Sequence, residues 1–220
     1  MHLYLIRHGN MAGDPHAHFR PPVEGCLSEQ GCKQVERLVQ DMNGLRLTHV
    51  VASPLGRALQ TAQGLAIPRG LEIQVEPWLE EWRPASVMGE EADTRYETIL
   101  LRSGELSPEQ SWKTGNGESL MQMADRMIPG LLSLLSGWGV EAGHGGYLME
   151  EEAEDYRIAL VAHGGTLNVL MMFLLGLPIR PGHPFRFEET GVARITFEPT
   201  LGVWYPSLRL FPLQSFKESV

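Results

Sequence analysis

Leu3-Tyr4-Leu5-Ile6-Arg7-His8-Gly9-Asn10 is the stretch that decides the fold. Its apolar run is too short for a helix and stops abruptly at an arginine, a histidine and a glycine, so it reads as a buried strand with polar chemistry at its tip. Gly9 permits the sharp exit that a strand needs when its end lines a pocket. In open α/β sheets ligands bind just beyond the carboxyl ends of the strands, which places Arg7 and His8 at that crevice. A histidine near neutral pH is largely uncharged, with a lone pair free to act as a nucleophile. An arginine beside it points to an anionic target, because its planar fork of donors matches phosphate oxygens in pairs. The tripeptide alone also fits a strand end carrying two solvated polar residues, and the rest of the chain decides between the two.

The same logic recurs late in the chain. Ile158 to Ala162 reads as a buried strand ending in His163-Gly164-Gly165, followed by an apolar helix over Thr166 to Leu175. A lone histidine there would be a core residue; a second strand-end histidine makes a shared site the better reading. Between them, Thr48 to Ser53 reads as a strand closed by Pro54, and Leu55, Ala58, Leu59 and Ala62 form one face of the next helix. Arg57 lies off that face in the first turn, where a cation opposes the helix dipole. Its place makes sense if it and the helix N-terminus hold an anion together. Leu71 to Val75 is a further strand, leading into Pro77-Trp78-Leu79-Glu80-Glu81-Trp82. An acid set among those aromatic and apolar neighbours would be pushed toward its protonated form, as a general acid requires.

The remaining segments supply the scaffold. Ser28 is placed to cap a helix whose apolar positions are Val35, Leu38, Val39 and Met42. Leu120, Met123, Ala124, Met127, Leu131 and Leu134 mark another amphipathic helix, which Pro129 is expected to kink or interrupt. Gly137 to Asp155 reads as a Gly-rich, acidic, solvated loop, and Val192 to Phe197 and Val203 to Leu210 as closing strands. Residues 83–116 read as a helical lid insertion, with helix around Asp93 to Arg102, inside a single domain spanning 1–220. The expected class is α/β: a three-layer α/β/α sandwich with a mainly parallel central sheet.

Composition narrows the function. The chain has 220 residues, 43% hydrophobic and 20% charged, with a formal net charge of -9 and a pI near 5.4. Such a surface repels nucleic acid and anionic membranes, so any phosphate site must be a local positive patch. The opening residues lack a basic leader, and the apolar stretch from Leu167 to Leu177 is too short to span a bilayer. Cys26 and Cys32 have no metal-ligand spacing and read as reduced thiols of a cytoplasmic protein.

Arg7-His8-Gly9, Ser53-Pro54 with Arg57, Glu81, and Ala162-His163-Gly164-Gly165 together resemble the histidine phosphatase superfamily, the phosphoglycerate mutase-like family. Leu27-Ser28 with Gly31 and Gln34 resembles its first-helix pattern, and Gly117-Glu118-Ser119 a segment common among its members. The resemblance spans about residues 2–200, and the ordered combination is far more specific than any one patch. It implies that His8 is transiently phosphorylated, that Arg7, Arg57 and His163 grip the phosphoryl oxygens, and that the backbone at Gly164 adds a donor. It implies Glu81 as the proton donor, with Glu80 the neighbouring alternative. It also implies no cofactor; two arginines and a second histidine meet the charge of a phosphoryl group without a metal, and the expected partner is a small-molecule phosphate ester.

Many members of that family carry glutamate or glutamine and then threonine or serine after the glycine; here Asn10 and Met11 stand there, with Asp14 where an asparagine is common. Asn10 retains a donor for phosphate, whereas Asp14 facing inward would repel it. The leading expectation is a metal-independent phosphomonoesterase. A mutase is the nearest alternative, but between Trp82 and Asn116 six acidic residues outnumber four basic ones, a poor lid for a bisphosphate. A non-catalytic phosphate-binding or protein-binding module on the same fold, and a metal-dependent hydrolase using Asp14, His16 and His18, are further alternatives.

Overall fold

The computed structural model describes residues 1–12, 26–83, 106–113, 116–143, 145–182 and 184–209. Asp14, His16, His18 and the helix expected around Asp93 to Arg102 lie outside the described residues. Strand β1 (His2–Arg7) is followed by α1 (Glu29–Asp41), β2 (His49–Ala52), α2 (Gly56–Ala66) and β3 (Ile73–Val75). Next come α3 (Leu120–Ser136), β4 (Val140–Gly143), β5 (Gly146–Met149), β6 (Arg157–Ala162), α4 (Gly164–Leu174), β7 (Val192–Thr200) and β8 (Val203–Arg209).

All eight strands form one sheet in the order β3-β2-β6-β1-β7-β8-β5-β4. Period-two alternation sorts its side chains into two cores. Leu3 and Leu5 of β1, with Ile158, Leu160 and Ala162 of β6, pack against α3 and α4. Tyr4 and Ile6, with Ala159 and Val161, face α1 and α2. Strands buried on both faces read as continuous apolar runs, which is why β1 and β6 stand out in the sequence. The expected three layers are present.

The expectation of a mainly parallel sheet holds for only one half. β3, β2, β6 and β1 pair in parallel, whereas β1–β7, β7–β8, β8–β5 and β5–β4 pair antiparallel. Gly137 to Asp155, read as a solvated loop, is corrected to a hairpin of β4 and β5 with a 3-10 turn over Glu151–Asp155. Val140 and Tyr147 are buried, and the Tyr147 ring meets Phe197 of β7 edge-on at 5.1 Å. Such a pair is worth about 0.5–1.5 kcal/mol beyond its buried area, enough to hold an edge hairpin that composition alone describes as polar. Helix α3 runs through Pro129 without a break, stabilised at its start by a reciprocal capping box between Ser119 and Gln122.

Parallel register fixes the place of the site. Arg7 lies opposite Ala162, and Ala52 opposite Val161. His8 N–H donates to the Ala162 carbonyl at 3.0 Å and Ser53 N–H to the Val161 carbonyl at 3.0 Å. Three neighbouring strands therefore end at one level and release His8, Ser53 and His163 together.

Candidate active site

His8 is buried, and both of its ring nitrogens are engaged in a way that settles the tautomer. Nδ1 lies 2.7 Å from the Gly9 carbonyl, an acceptor only, so Nδ1 carries the proton. Nε2 then keeps its lone pair, which accepts the Arg57 Nε–H at 3.0 Å. Arg57 is the second residue of α2 and is itself buried. Burial lowers its guanidinium pKa; the charge of Glu81 offsets part of that effect, and Arg7 adds to it. The His8 backbone is braced as well, since Gly9 N–H donates to Thr61 Oγ1 at 3.1 Å and Thr61 Oγ1 donates to the Arg57 carbonyl at 2.8 Å.

His163 is completely buried with its ring centroid 5.0 Å from that of His8. Its Nε2 is paired with Ser53 Oγ at 2.8 Å. Desolvation holds its pKa well below the ordinary histidine value, and the positive charges of Arg57, Arg7 and Arg126 push the same way. His163 is thus a neutral ring at neutral pH. Among the described residues its Nδ1, Arg57 Nη1 and Arg7 Nε are buried polar atoms without a hydrogen-bond partner. Buried orphans of this kind are rare, and these three belong to residues at or beside the strand ends that carry the two histidines. Arg7 is steered by Nη1, which donates to the Phe187 carbonyl at 2.7 Å.

The two adjacent acids separate cleanly. Glu80 forms an outward ion pair with Arg83 at 2.8 Å. Glu81 turns inward to the first turn of α4, where Oε2 accepts Gly165 N–H at 3.1 Å and Oε1 accepts Thr166 N–H at 3.2 Å. Those are donors that a helix start leaves unpaired. A Cβ at Gly165 would lie 2.6 Å from Glu81 Oε1, so this carboxylate position requires glycine there. Gly164, by contrast, faces open space, with nothing within 4 Å of where a Cβ would stand.

Asn10, expected as a phosphate donor, takes part in a polar network with Glu189 and Ser28. Its side-chain amide donates to Glu189 Oε1 at 2.8 Å, and its Oδ1 accepts the Ser28 hydroxyl at 2.6 Å. Sequence reading also missed the brace behind Glu81. Arg126 of α3 forms a two-pronged pair with Glu118, at 2.9 Å to each oxygen, and donates to the carbonyls of Trp78 at 2.6 Å and Glu80 at 3.1 Å. The signal was an acid just before a helix N-cap and an arginine two turns later, indistinguishable in sequence from a surface ion pair.

Hydrogen-bond donors and two guanidinium groups surround an imidazole lone pair, with a carboxylate on the neighbouring helix start. Such an arrangement can hold an oxyanion against a nitrogen nucleophile and move a proton beside it. Residues 3–204 match the histidine phosphatase superfamily (branch 1), and the chain belongs to that family. It is 27% identical over 196 residues to a probable phosphoglycerate mutase of Erwinia tasmaniensis, covering 89% of this chain and 84% of that one. A probable phosphoglycerate mutase of Yersinia pestis is 28% identical over 206 residues, with 90% and 86% covered.

Among solved structures, a mycobacterial glucosyl-3-phosphoglycerate phosphatase superposes with a TM-score of 0.73 at 22% identity, covering 96% of this chain and 97% of that one. A mutant phosphoserine phosphatase from Entamoeba histolytica, in complex with phosphoserine, gives 0.68 at 20% identity over 94% and 95%. At those identities the likeness establishes the fold. No described helix is long and apolar enough to cross a membrane.

Proposed function

We propose that this chain is a metal-independent phosphomonoesterase acting on a small phosphate ester through a phosphohistidine. The observation that carries the reading is the unprotonated Nε2 of His8, fixed by the Gly9 carbonyl on the other ring nitrogen and by the Arg57 Nε–H it accepts, with Arg7 Nε, Arg57 Nη1 and His163 Nδ1 buried and, among the described residues, lacking hydrogen-bond partners. In this reading the guanidinium groups and the backbone donor at Gly164 take the phosphoryl oxygens. Nε2 attacks phosphorus, the P–O ester bond breaks, and Glu81 gives its proton to the departing alkoxide. Glu81 then removes a proton from water, whose oxygen attacks the phosphohistidine; the P–N bond breaks, releasing inorganic phosphate and restoring His8. Charge spreads over the phosphoryl oxygens during each transfer, so fixed cations in a dry site contribute much of the rate.

The names of the sequence relatives favour a second reading, phosphoryl exchange of the phosphoglycerate mutase type. Hydrolysis of p-nitrophenyl phosphate in excess EDTA, with His8→Ala alongside, separates the readings. Activity that resists the chelator and vanishes in the variant is the expected result. Absence of hydrolysis together with phosphate exchange between phosphoglycerates selects the mutase, and activity lost to EDTA selects a metal-dependent hydrolase.

A further inference from the structure

The Gly9 carbonyl that accepts His8 Nδ1–H belongs to the same peptide plane as Asn10 N–H, and that N–H donates to Gln34 Oε1 at 2.7 Å. Gln34 Nε2 in turn donates to Glu189 Oε2 at 2.9 Å, while Asn10 Nδ2 donates to Glu189 Oε1 at 2.8 Å. Both amides are oriented by partners on their other side. Ser28 Oγ accepts Gly31 N–H at 3.0 Å as the cap of α1 and donates its own hydrogen to Asn10 Oδ1 at 2.6 Å. Gln34 Oε1 is taken by the Asn10 N–H. Each amide then presents only its NH2 group to Glu189, and both oxygens of that side chain must accept. An amide at position 189 would set donor against donor unless the Asn10 amide flipped and gave up the Ser28 hydroxyl as a donor.

Glu189 is itself built into the strand end it serves. Thr190 N–H donates to the Arg7 carbonyl at 3.1 Å, and Arg7 N–H to the Gly191 carbonyl at 3.1 Å. Thr190 has φ +57°, a conformation that a β-branched residue adopts only where its surroundings impose it. On the other side, a Cβ at Gly31 would stand 2.1 Å from the carbonyl oxygen of Asn10 and 3.1 Å from its backbone nitrogen, so α1 abuts the segment that carries the Gly9–Asn10 peptide without slack.

We propose that Glu189 is a positioning residue: acting through Gln34 and Asn10, it locks the Gly9–Asn10 peptide, whose carbonyl shares with the Arg57 Nε–H the task of holding His8 in the Nδ1–H tautomer with Nε2 unprotonated. The catalytic consequence rests on the phosphohistidine reading; the tautomer does not. The departure from the family at position 10 also acquires a role here, because the Asn10 amide reaches the Glu189 carboxylate.

The test is Glu189→Gln in the full chain, beside wild type and His8→Ala, read by imidazole nitrogen NMR at about pH 8, above the ordinary histidine pKa, and by p-nitrophenyl phosphate turnover. His8→Ala identifies the His8 resonances by their loss. Wild type is expected to show one neutral tautomer protonated at Nδ1, and Glu189→Gln a mixture of the two. Turnover should fall about tenfold in kcat with KM within about twofold, as displacement of a reacting group predicts. Adding Gln34→Leu to Glu189→Gln should make kcat no worse than the lower single variant, because both act through one peptide.

A Glu189→Gln protein with the wild-type tautomer overturns the proposal, whatever its thermal stability. Losses that multiply in the double variant overturn the route through Gln34. A wild type that hydrolyses nothing removes the phosphatase reading, while the His8 resonances still decide the clamp.

Discussion

Two parallel strands, β1 and β6, end side by side in the same His-Gly pair, yet the two histidines are prepared for different work. At the end of β1, His8 donates through Nδ1 to its own neighbour's carbonyl and offers Nε2 to Arg57. At the end of β6, His163 gives Nε2 to Ser53, stands at the start of α4, and is stripped of solvent entirely. One ring is oriented to use a lone pair. The other is kept neutral by burial, with Nδ1 buried and, among the described residues, lacking a hydrogen-bond partner. The comparison teaches that a strand-end histidine acquires its role from what holds its second nitrogen, a feature absent from the motif itself.

The sharpest way to break this division is to compare His8→Ala with His163→Ala in a rapid-quench assay for phosphoenzyme. His8→Ala should form none, whereas His163→Ala should still form it, about 10²-fold more slowly, as for loss of one oxyanion donor. Equal loss of the intermediate in both variants would erase the distinction.

Glu81 sharpens the same comparison, because it is held by the helix that His163 begins. Glu81→Gln should slow alkyl phosphates about 10²-fold or more, and p-nitrophenyl phosphate less than tenfold, since a good leaving group needs little protonation. Glu80→Gln should stay within about twofold on both, consistent with its outward pairing to Arg83. A reversed order in the two variants would move the acid to Glu80.

Adjacent glycines give a third, smaller contrast. Gly165→Ala places a methyl group 2.6 Å from Glu81 Oε1 and should reproduce a weaker form of the leaving-group pattern of Glu81→Gln. Gly164→Ala meets open space and should leave unfolding free energy within about 0.5 kcal/mol of wild type by urea titration. Equal unfolding and kinetic profiles for the two variants would mean that Glu81 does not occupy the helix start.

The smallest expected effect is on stability against pH. Burial depresses the folded pKa of His163, so between about pH 6.5 and the lower folded value the unfolded chain binds the extra proton. Stability is therefore full above about pH 6.5 and declines on acidification, with a limiting slope of about 1.4 kcal/mol per pH unit from this group. His163→Gln should flatten that decline between about pH 7 and pH 5 in urea titrations. An unchanged slope would show that His163 does not stay neutral in the folded protein.

Much of the parallel half was legible in sequence. β1, β2 and β6 are short apolar runs closed by polar or glycine residues, and α1 and α3 carry apolar stripes behind serine caps, all of them local patterns. The antiparallel half was less so. β4 and β5 bury Val140 and Tyr147 and pack Met149 against the core in a segment dominated by glycine and acid, so composition hid their strand character. Pro129 misled for a related reason: packing of α3 over Leu120, Met127 and Leu131 outweighs one missing backbone hydrogen bond.

By itself the sequence determined the identities and strand-end positions of Arg7, His8 and His163, because alternation and chain termination are properties of a few consecutive residues. Only the tertiary structure decided that Glu81 and not Glu80 faces them, through hydrogen bonds to residues 84 and 85 positions later. It likewise turned the Asn10 amide to Glu189, 179 positions away, and set the His8 proton on Nδ1. Hydrogen-bond direction depends on which donor and acceptor are brought within 3 Å, and for these groups that choice is made by packing between distant segments.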